Sequence, residues 1–142
     1  YPRGSLGRDG QRALGAAFKE AVGSGGANVV YDAVGGEYSE PALRAIAWEG
    51  RYLVVGFPAG IPSLPLNLPL LKSCDVRGVF WGEWAERNPE AHARDVDRLF
   101  ALYRKGKVRP RIHRRFAFED TAAALEELAS RDVAGKVVVT LG

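Results

Sequence analysis

The sequence predicts an α/β fold built on a parallel sheet, and two observations support that prediction. Short apolar runs rich in β-branched residues alternate along the chain with segments of helical spacing. The strand-like runs also end in glycine-bearing turns, which are VGG at 34–36, GFPAG at 56–60 and FWG at 80–82. Such turns are typical of parallel strands that are joined by right-handed crossover helices.

The first third of the chain alternates helix and strand. Apolar residues at helical spacing predict a helix over 11–22, and the run NVVYD predicts a buried strand over 28–32. A second helix is predicted over 37–47, with an exit turn at 48–50, and the run RYLVV predicts a second strand over 51–55.

Four prolines between residues 58 and 69 predict a long ordered loop in place of a regular element. Beyond this loop, periodicity and turn residues predict six further elements, the first of which is a short helix. They are the short helix 67–73, the strand 76–81, the helix 89–105, the strand 112–118, the helix 121–130 and the strand 136–141.

Composition places the chain among ordinary globular proteins, with 142 residues, 46% of them hydrophobic and 26% charged. No apolar stretch approaches the ~20 residues that cross a bilayer, and no signal peptide opens the chain, so we expect a cytoplasmic protein without a membrane partner. The chain contains no methionine and begins with Tyr1, so we expect it to be part of a longer protein.

The few potential metal ligands predict that the chain holds no metal. Cys74 is the single cysteine, so it forms no internal disulfide and is expected to pack as a small hydrophobe. His92 and His113 are far apart in the sequence. The net charge of +3 depends on a basic run over 104–115, which lacks an aromatic platform or a recognition helix. That run therefore favours solvated side chains over a nucleic-acid partner.

The three glycine turns also predict a ligand site. Ligands of open parallel sheets bind outside the carboxyl ends of the strands, so the three turns are expected to face one crevice. Glycine allows a flat ligand to approach the backbone, whose N–H and C=O groups suit the carboxamide of a nicotinamide. Turns that serve chain geometry alone remain an alternative.

Four segments in order resemble the quinone-oxidoreductase-like medium-chain dehydrogenases/reductases: GANVVYDAVGG, GRYLVVGFPAG, LNLPLLKSCDVRGVFWG and EDTAAALEELASRDVAGKVVVTL. The chain is similar to the carboxy-terminal part of the zinc-free NADPH:quinone oxidoreductases. The resemblance implies that residues 1–108 form the second half of a Rossmann-type nucleotide-binding domain. It also implies that residues 109–142 form a strand–helix–strand return to the substrate domain. The phosphate loop and the catalytic residues would lie outside this chain, which alone is expected to bind cofactor poorly.

The same resemblance implies which residues contact the cofactor, and most of them lie at or just beyond the end of a predicted strand. They are Tyr1 near the adenosine phosphate, Asp32, Val34 and Gly35 along the ribose, Gly56, Phe57 and Pro58 beside the nicotinamide, Phe80, Trp81 and Gly82 near the carboxamide, and Lys136, with Gly135, near the cleft. For Phe80 and Trp81, an aromatic edge of the sheet core remains an alternative.

The implied activity is hydride transfer from NADPH, with NADH as an alternative, to a small-molecule quinone or another activated double bond. The alternatives are a zinc-dependent alcohol dehydrogenase, an enoyl reductase, or a non-catalytic Rossmann scaffold for dimerisation. The predicted strand 76–81 lacks most devices that protect an exposed sheet edge. The resemblance implies that this strand pairs with its symmetry mate in a homodimer.

Overall fold

The computed structural model describes residues 5–130 and 132–142, and the chain divides into two compact units. The first unit extends as far as Trp84, and the second runs from Ala85 to Gly142. No helix among the described residues is long and apolar enough to cross a membrane. From the sequence we expect a boundary between a nucleotide-binding domain and a substrate domain at residues 108 and 109. That boundary stays a prediction.

The first unit contains a three-stranded parallel sheet, as the sequence predicts. Its strands are β1 (Ala27–Asp32), β2 (Ile46–Val54) and β3 (Asp75–Gly78), in the order β1-β2-β3. The register pairs Asp32 with Val54 and Val54 with Gly78. All three strands therefore end at the same edge of the sheet.

The first helix, α1 (Gly7–Val22), begins four residues before the predicted start and ends where the sequence predicts. Gly23 follows it with φ of 72°, a conformation that glycine adopts without steric cost. On its inner face Gly15 is buried and lies against Pro41. This contact packs α1 against the segment that begins α2.

The second predicted helix, 37–47, is too long. A 3₁₀ turn over Gly36–Tyr38 leads into α2 (Ser39–Arg44), and the residues expected in the last helical turn and the exit turn belong to β2. Ile46 and Ala47 are buried, so their apolar character fits a strand as well as a helix. Pairing with β1 decides between the two, because local propensity is weaker than tertiary contact.

The third predicted strand, 76–81, is also too long. β3 ends at Gly78, although Val79 still donates its N–H to the carbonyl oxygen of Val54 at 2.8 Å. Trp81 then begins the helix α4 (Trp81–Arg87). The Trp84 N–H donates to the carbonyl oxygen of Phe80 at 3.1 Å, a helical bond that is incompatible with a continuing strand.

The core of the first unit lies between the sheet, α2 and the short helix α3 (Asn67–Lys72). Leu43, Ile46 and Tyr52 are fully buried there, and Leu68 and Cys74 complete the cluster. Each large apolar side chain buried in this way stabilises the fold by about 1.5–3 kcal/mol. The prediction that Cys74 packs as a small hydrophobe is confirmed.

The second unit contains the predicted strand–helix–strand motif. β4 (Ile112–Ala117) and β5 (Lys136–Thr140) pair in parallel, and α6 (Thr121–Ser130) connects them. Phe116 and Ala124 are its buried apolar residues among those described. The remaining helix, α5 (Pro89–Arg104), ends one residue before the predicted end, and its apolar residues Leu99, Phe100 and Tyr103 are more than half exposed.

Candidate functional site

The candidate site begins where β1 and β2 end side by side. The carbonyl oxygen of Asp32 accepts hydrogen bonds from the N–H groups of Val55 and Gly56, at 2.9 and 3.3 Å. These bonds extend the sheet pairing beyond the last residue of β2. They bring the turn 33–36 and the loop 56–60 together at the carboxyl edge of the sheet.

Backbone hydrogen bonds join the turn 33–36 to the loop 56–60. The Ala59 N–H donates to the carbonyl oxygen of Val34 at 2.9 Å, and the Gly36 N–H donates to that of Gly60 at 2.7 Å. Gly35 has φ of +74°, and a Cβ placed on it would lie 2.7 Å from the carbonyl oxygen of Gly60. A side chain at Gly35 would therefore separate the two segments.

The buried carboxylate of Asp32 fixes the turn 33–36 through hydrogen bonds. This residue is 8% exposed. Its Oδ1 accepts from the N–H groups of Val34 and Gly35, at 2.9 and 2.8 Å. Its Oδ2 accepts from the Ser39 hydroxyl at 2.6 Å and from the Tyr52 hydroxyl. Four donors from three segments thus converge on one buried carboxylate.

These contacts shift the pKa of both ionisable partners. Burial alone would raise the pKa of Asp32, but the hydrogen bonds from Ser39, Tyr52, Gly35 and Val34 together lower it below the usual 3.8. Burial and the neighbouring Asp32 raise the pKa of Tyr52 well above its usual range. The cluster therefore holds an ionised Asp32 and a neutral Tyr52 at neutral pH.

The joined segments 33–36 and 56–60 expose apolar groups to solvent. Phe57 is 44% exposed and Pro58 is exposed, while Gly56 beside them is half-buried. The Phe57 backbone lies against Gly35, since a Cβ on that glycine would stand 3.1 Å from the Phe57 Cα. A flat apolar ligand could lie against this surface at the strand ends.

The structure joins the predicted site residues that end or follow β1 and β2. Asp32, Val34 and Gly35 lie beside Gly56, Phe57 and Pro58, as described above. Phe80 is 77% exposed beyond β3, whereas Trp81 and Gly82 lie in the first turn of α4 rather than at a strand end.

Two predicted contacts remain, Lys136 and Tyr1. Lys136 begins β5 in the second unit, where its N–H donates to the carbonyl oxygen of Arg111 at 2.9 Å, and Gly135 precedes it with φ of +119°. Tyr1 lies outside the described residues.

Sequence reasoning missed Ser39 and Tyr52. A signal for them existed, because an aspartate at the end of a buried strand needs hydrogen-bond donors when it leaves water. The sequence does not show which donors these are, since they follow 7 and 20 residues later. The side chain of Asp32 forms hydrogen bonds with the backbone of the turn 33–36. Its predicted place along a ribose stays a prediction.

Metal ligands are sparse in this part of the protein. Among the described residues, no three His, Cys, Asp or Glu side chains form a group that could hold a metal ion. Cys74 lies in the apolar core, where burial raises the pKa of its thiol and disfavours the thiolate that binds metals. The donor set of these residues therefore does not fit a zinc ion.

The fold and the strand-end site define one class of protein. A parallel sheet with crossover helices, whose ligand surface lies at the strand ends, is the Rossmann-like arrangement of dinucleotide-binding proteins. Comparison with protein families narrows the class further. The family model described as zinc-binding dehydrogenase matches residues 9–139. The chain belongs to this family of medium-chain dehydrogenases/reductases.

Individual relatives agree with this assignment. Quinone oxidoreductase-like protein 2 of Bos taurus is 39% identical over 142 residues, which are 99% of this chain and 38% of the relative. Quinone oxidoreductase of Pseudomonas aeruginosa is 35% identical over 114 residues, which are 78% of this chain and 34% of the relative. The chain thus spans little more than a third of the length of these relatives.

A solved structure shows the same fold. The crystal structure of a quinone oxidoreductase from Pseudomonas syringae pv. Tomato superposes with a TM-score of 0.69 at 26% identity. The match covers 89% of this chain and 39% of that structure. The resemblance to quinone oxidoreductases inferred from the sequence is therefore confirmed.

Proposed function

We propose that this chain contributes the nicotinamide side of the cofactor site to an oxidoreductase that transfers hydride from NADPH to a quinone or another activated double bond. The principal observation is the joined pair of strand-end segments, 33–36 and 56–60, with Phe57 and Pro58 exposed on them. The names of the bovine and Pseudomonas relatives support a quinone as the acceptor.

The chain's own residues would bind and orient the cofactor. The bound nicotinamide would supply the hydride, as cofactors supply the difficult chemistry in such enzymes. Gly56 allows a flat ring to approach the backbone, and Phe57 and Pro58 offer apolar contact on either side of it. Asp32 would act indirectly, because its carboxylate orients the turn 34–36.

Turnover by the full-length protein tests this proposal. Oxidation of NADPH and of NADH is followed with a quinone, with an enone and with an alkyl aldehyde as acceptors. We expect quinone- or enone-dependent oxidation of NADPH that exceeds the rate without acceptor. Preference for the aldehyde together with stoichiometric zinc would instead support an alcohol dehydrogenase, and no oxidation with any acceptor would support a non-catalytic scaffold.

We further propose that this chain binds no zinc. The family description refers to zinc, whereas the donors of the described residues do not fit it. Any zinc site of the longer protein would need ligands from outside these residues. The expectations that the isolated chain binds cofactor poorly and that the protein is cytoplasmic stay predictions.

We also propose that the protein forms a homodimer through β3. This strand is one of the two edges of the three-stranded sheet, and all four of its residues are exposed. Val76 is 43% exposed, and an unpaired edge with apolar side chains readily pairs with another strand. An antiparallel pair of two β3 strands would produce one continuous sheet around a two-fold axis.

A further inference from the structure

The basic run at the end of α5 and the start of β4 has no role in the proposed oxidoreductase function. Between residues 103 and 118 the sequence contains no aspartate or glutamate. The same stretch contains seven cationic side chains, which are Arg104, Lys105, Lys107, Arg109, Arg111, Arg114 and Arg115. Such exposed like charges repel each other weakly in water, and a bound anion would relieve that repulsion.

Part of this run lines a cavity within the second unit. This cavity is open to solvent, and its volume is about 530 Å³. Arg104, Arg109 and Arg115 line it together with Tyr103 and Ile112. Three arginines, from the helix end, the connecting loop and the strand, therefore border the same pocket.

The structure leaves this charge largely uncompensated. Glu127 is already engaged, by His113 at 3.0 Å and by Arg114 at 3.4 Å. Within residues 5–130 and 132–142, Arg104 and Arg115 have no acidic side chain at ion-pairing distance. Arg109 donates from Nε to the carbonyl oxygen of Gly106 at 3.2 Å, so its guanidinium is oriented before any ligand arrives.

We propose that this cavity binds the oligophosphate group of a small phosphorylated molecule. Guanidinium groups pair with phosphate oxygens through two parallel hydrogen bonds, and one fixed by Gly106 loses little freedom when it binds. Tyr103 is 56% exposed beside them and offers a ring face to a planar base. A nucleic acid would instead require cations spread along an extended face.

Calorimetric titration of the full-length protein tests this proposal, with inorganic pyrophosphate and ADP as probes. The titrations are run without NADPH, because that nucleotide carries a pyrophosphate and an adenine and would compete for the cavity. Pyrophosphate bound at a cofactor site would be insensitive to the cavity variants. The variants are Arg104→Gln and Arg115→Gln, and the matched control is Arg98→Gln, which removes the same charge from an exposed position of α5 outside the cavity. All three positions are exposed, so the unfolding midpoints should stay unchanged.

We expect saturable pyrophosphate binding below about 1 mM, weakened roughly tenfold by either cavity variant and little by the control. Tighter binding of ADP would show that Tyr103 contributes to base recognition, and equal binding would show that the phosphates suffice. Failure of pyrophosphate to bind, or equal loss in all three variants, would overturn the proposal. So would binding of a duplex oligonucleotide at far lower concentrations than pyrophosphate, which would indicate a polymer surface. Because NADPH turnover is measured separately, these outcomes do not depend on the proposed oxidoreductase function.

Discussion

The hydroxyl of Tyr52 donates to a carboxylate that is almost entirely withdrawn from water. Tyr52→Phe keeps the ring and deletes that donor, so Asp32 loses one of its four partners. We expect the free energy of unfolding to fall by about 1–3 kcal/mol. Chemical denaturation measures it, and Tyr31→Phe is the control because that ring is 68% exposed on β1. Equal effects of the two substitutions would show that the buried contact contributes nothing.

The lowered pKa of Asp32 predicts a pH dependence of stability. A carboxyl whose pKa is lower in the folded state stabilises the fold above its unfolded pKa, near 3.8, and that contribution is lost as the pH falls toward the folded value. Ser39→Ala removes a donor and raises the folded pKa. The parent should therefore be more stable than this variant at about pH 6, by a margin that shrinks toward about pH 3. A margin that is constant across this range would contradict the account of Asp32.

For single residues, the sequence predicts Asp32 as a site residue but does not predict its hydrogen-bond partners. Asp32 ends a recognisable strand, and the resemblance places it at the cofactor. Ser39 and Tyr52 reach it because α2 and β2 pack on β1, a tertiary arrangement that local patterns do not encode.

Among the elements, the turn after β1 depends most strongly on a single residue type. Gly35→Ala places a side chain at φ of +74° and 2.7 Å from the carbonyl oxygen of Gly60. We expect a loss of roughly 1–3 kcal/mol in stability and weaker cofactor binding by the full-length protein. Gly25→Ala is the control, because no atom lies within 4 Å of its added Cβ and its φ is ordinary. Comparable melting temperatures for the two variants would contradict the close approach seen here.

The element boundaries show where sequence patterns suffice and where they do not. The sequence correctly predicts three strands in the first unit and the strand–helix–strand motif of the second, because these runs are strongly apolar or periodic. It misplaces Ile46 and Trp81, which suit a helix or a strand equally. Ile46 belongs to a strand because it pairs with β1, and Trp81 belongs to a helix because α4 begins there.

For the whole molecule, the edge position of β3 predicts the effect of a proline. N–H groups alternate in direction along a strand, and that of Val79 points to β2, so that of Val76 points away from the sheet. Val76→Pro should therefore spare the fold and block pairing with a second β3. Light scattering of the full-length protein should give a dimer for the parent and for Val76→Ala, and a monomer for Val76→Pro. A parent monomer, or a dimer that tolerates the proline, would contradict dimerisation through this edge.

We propose above that the segments 33–36 and 56–60 form the nicotinamide side of a cofactor site. Titration of the full-length protein with NADPH and NADH, followed by cofactor fluorescence, tests it most directly when the parent is compared with Phe57→Ala. The control is Phe118→Ala, which removes an aromatic ring of similar exposure from the second unit. We predict parent binding on the order of micromolar, roughly tenfold weaker binding for Phe57→Ala and no change for the control. A parent that binds neither nucleotide, or a Phe57→Ala variant that binds as tightly as the parent, would contradict the claim.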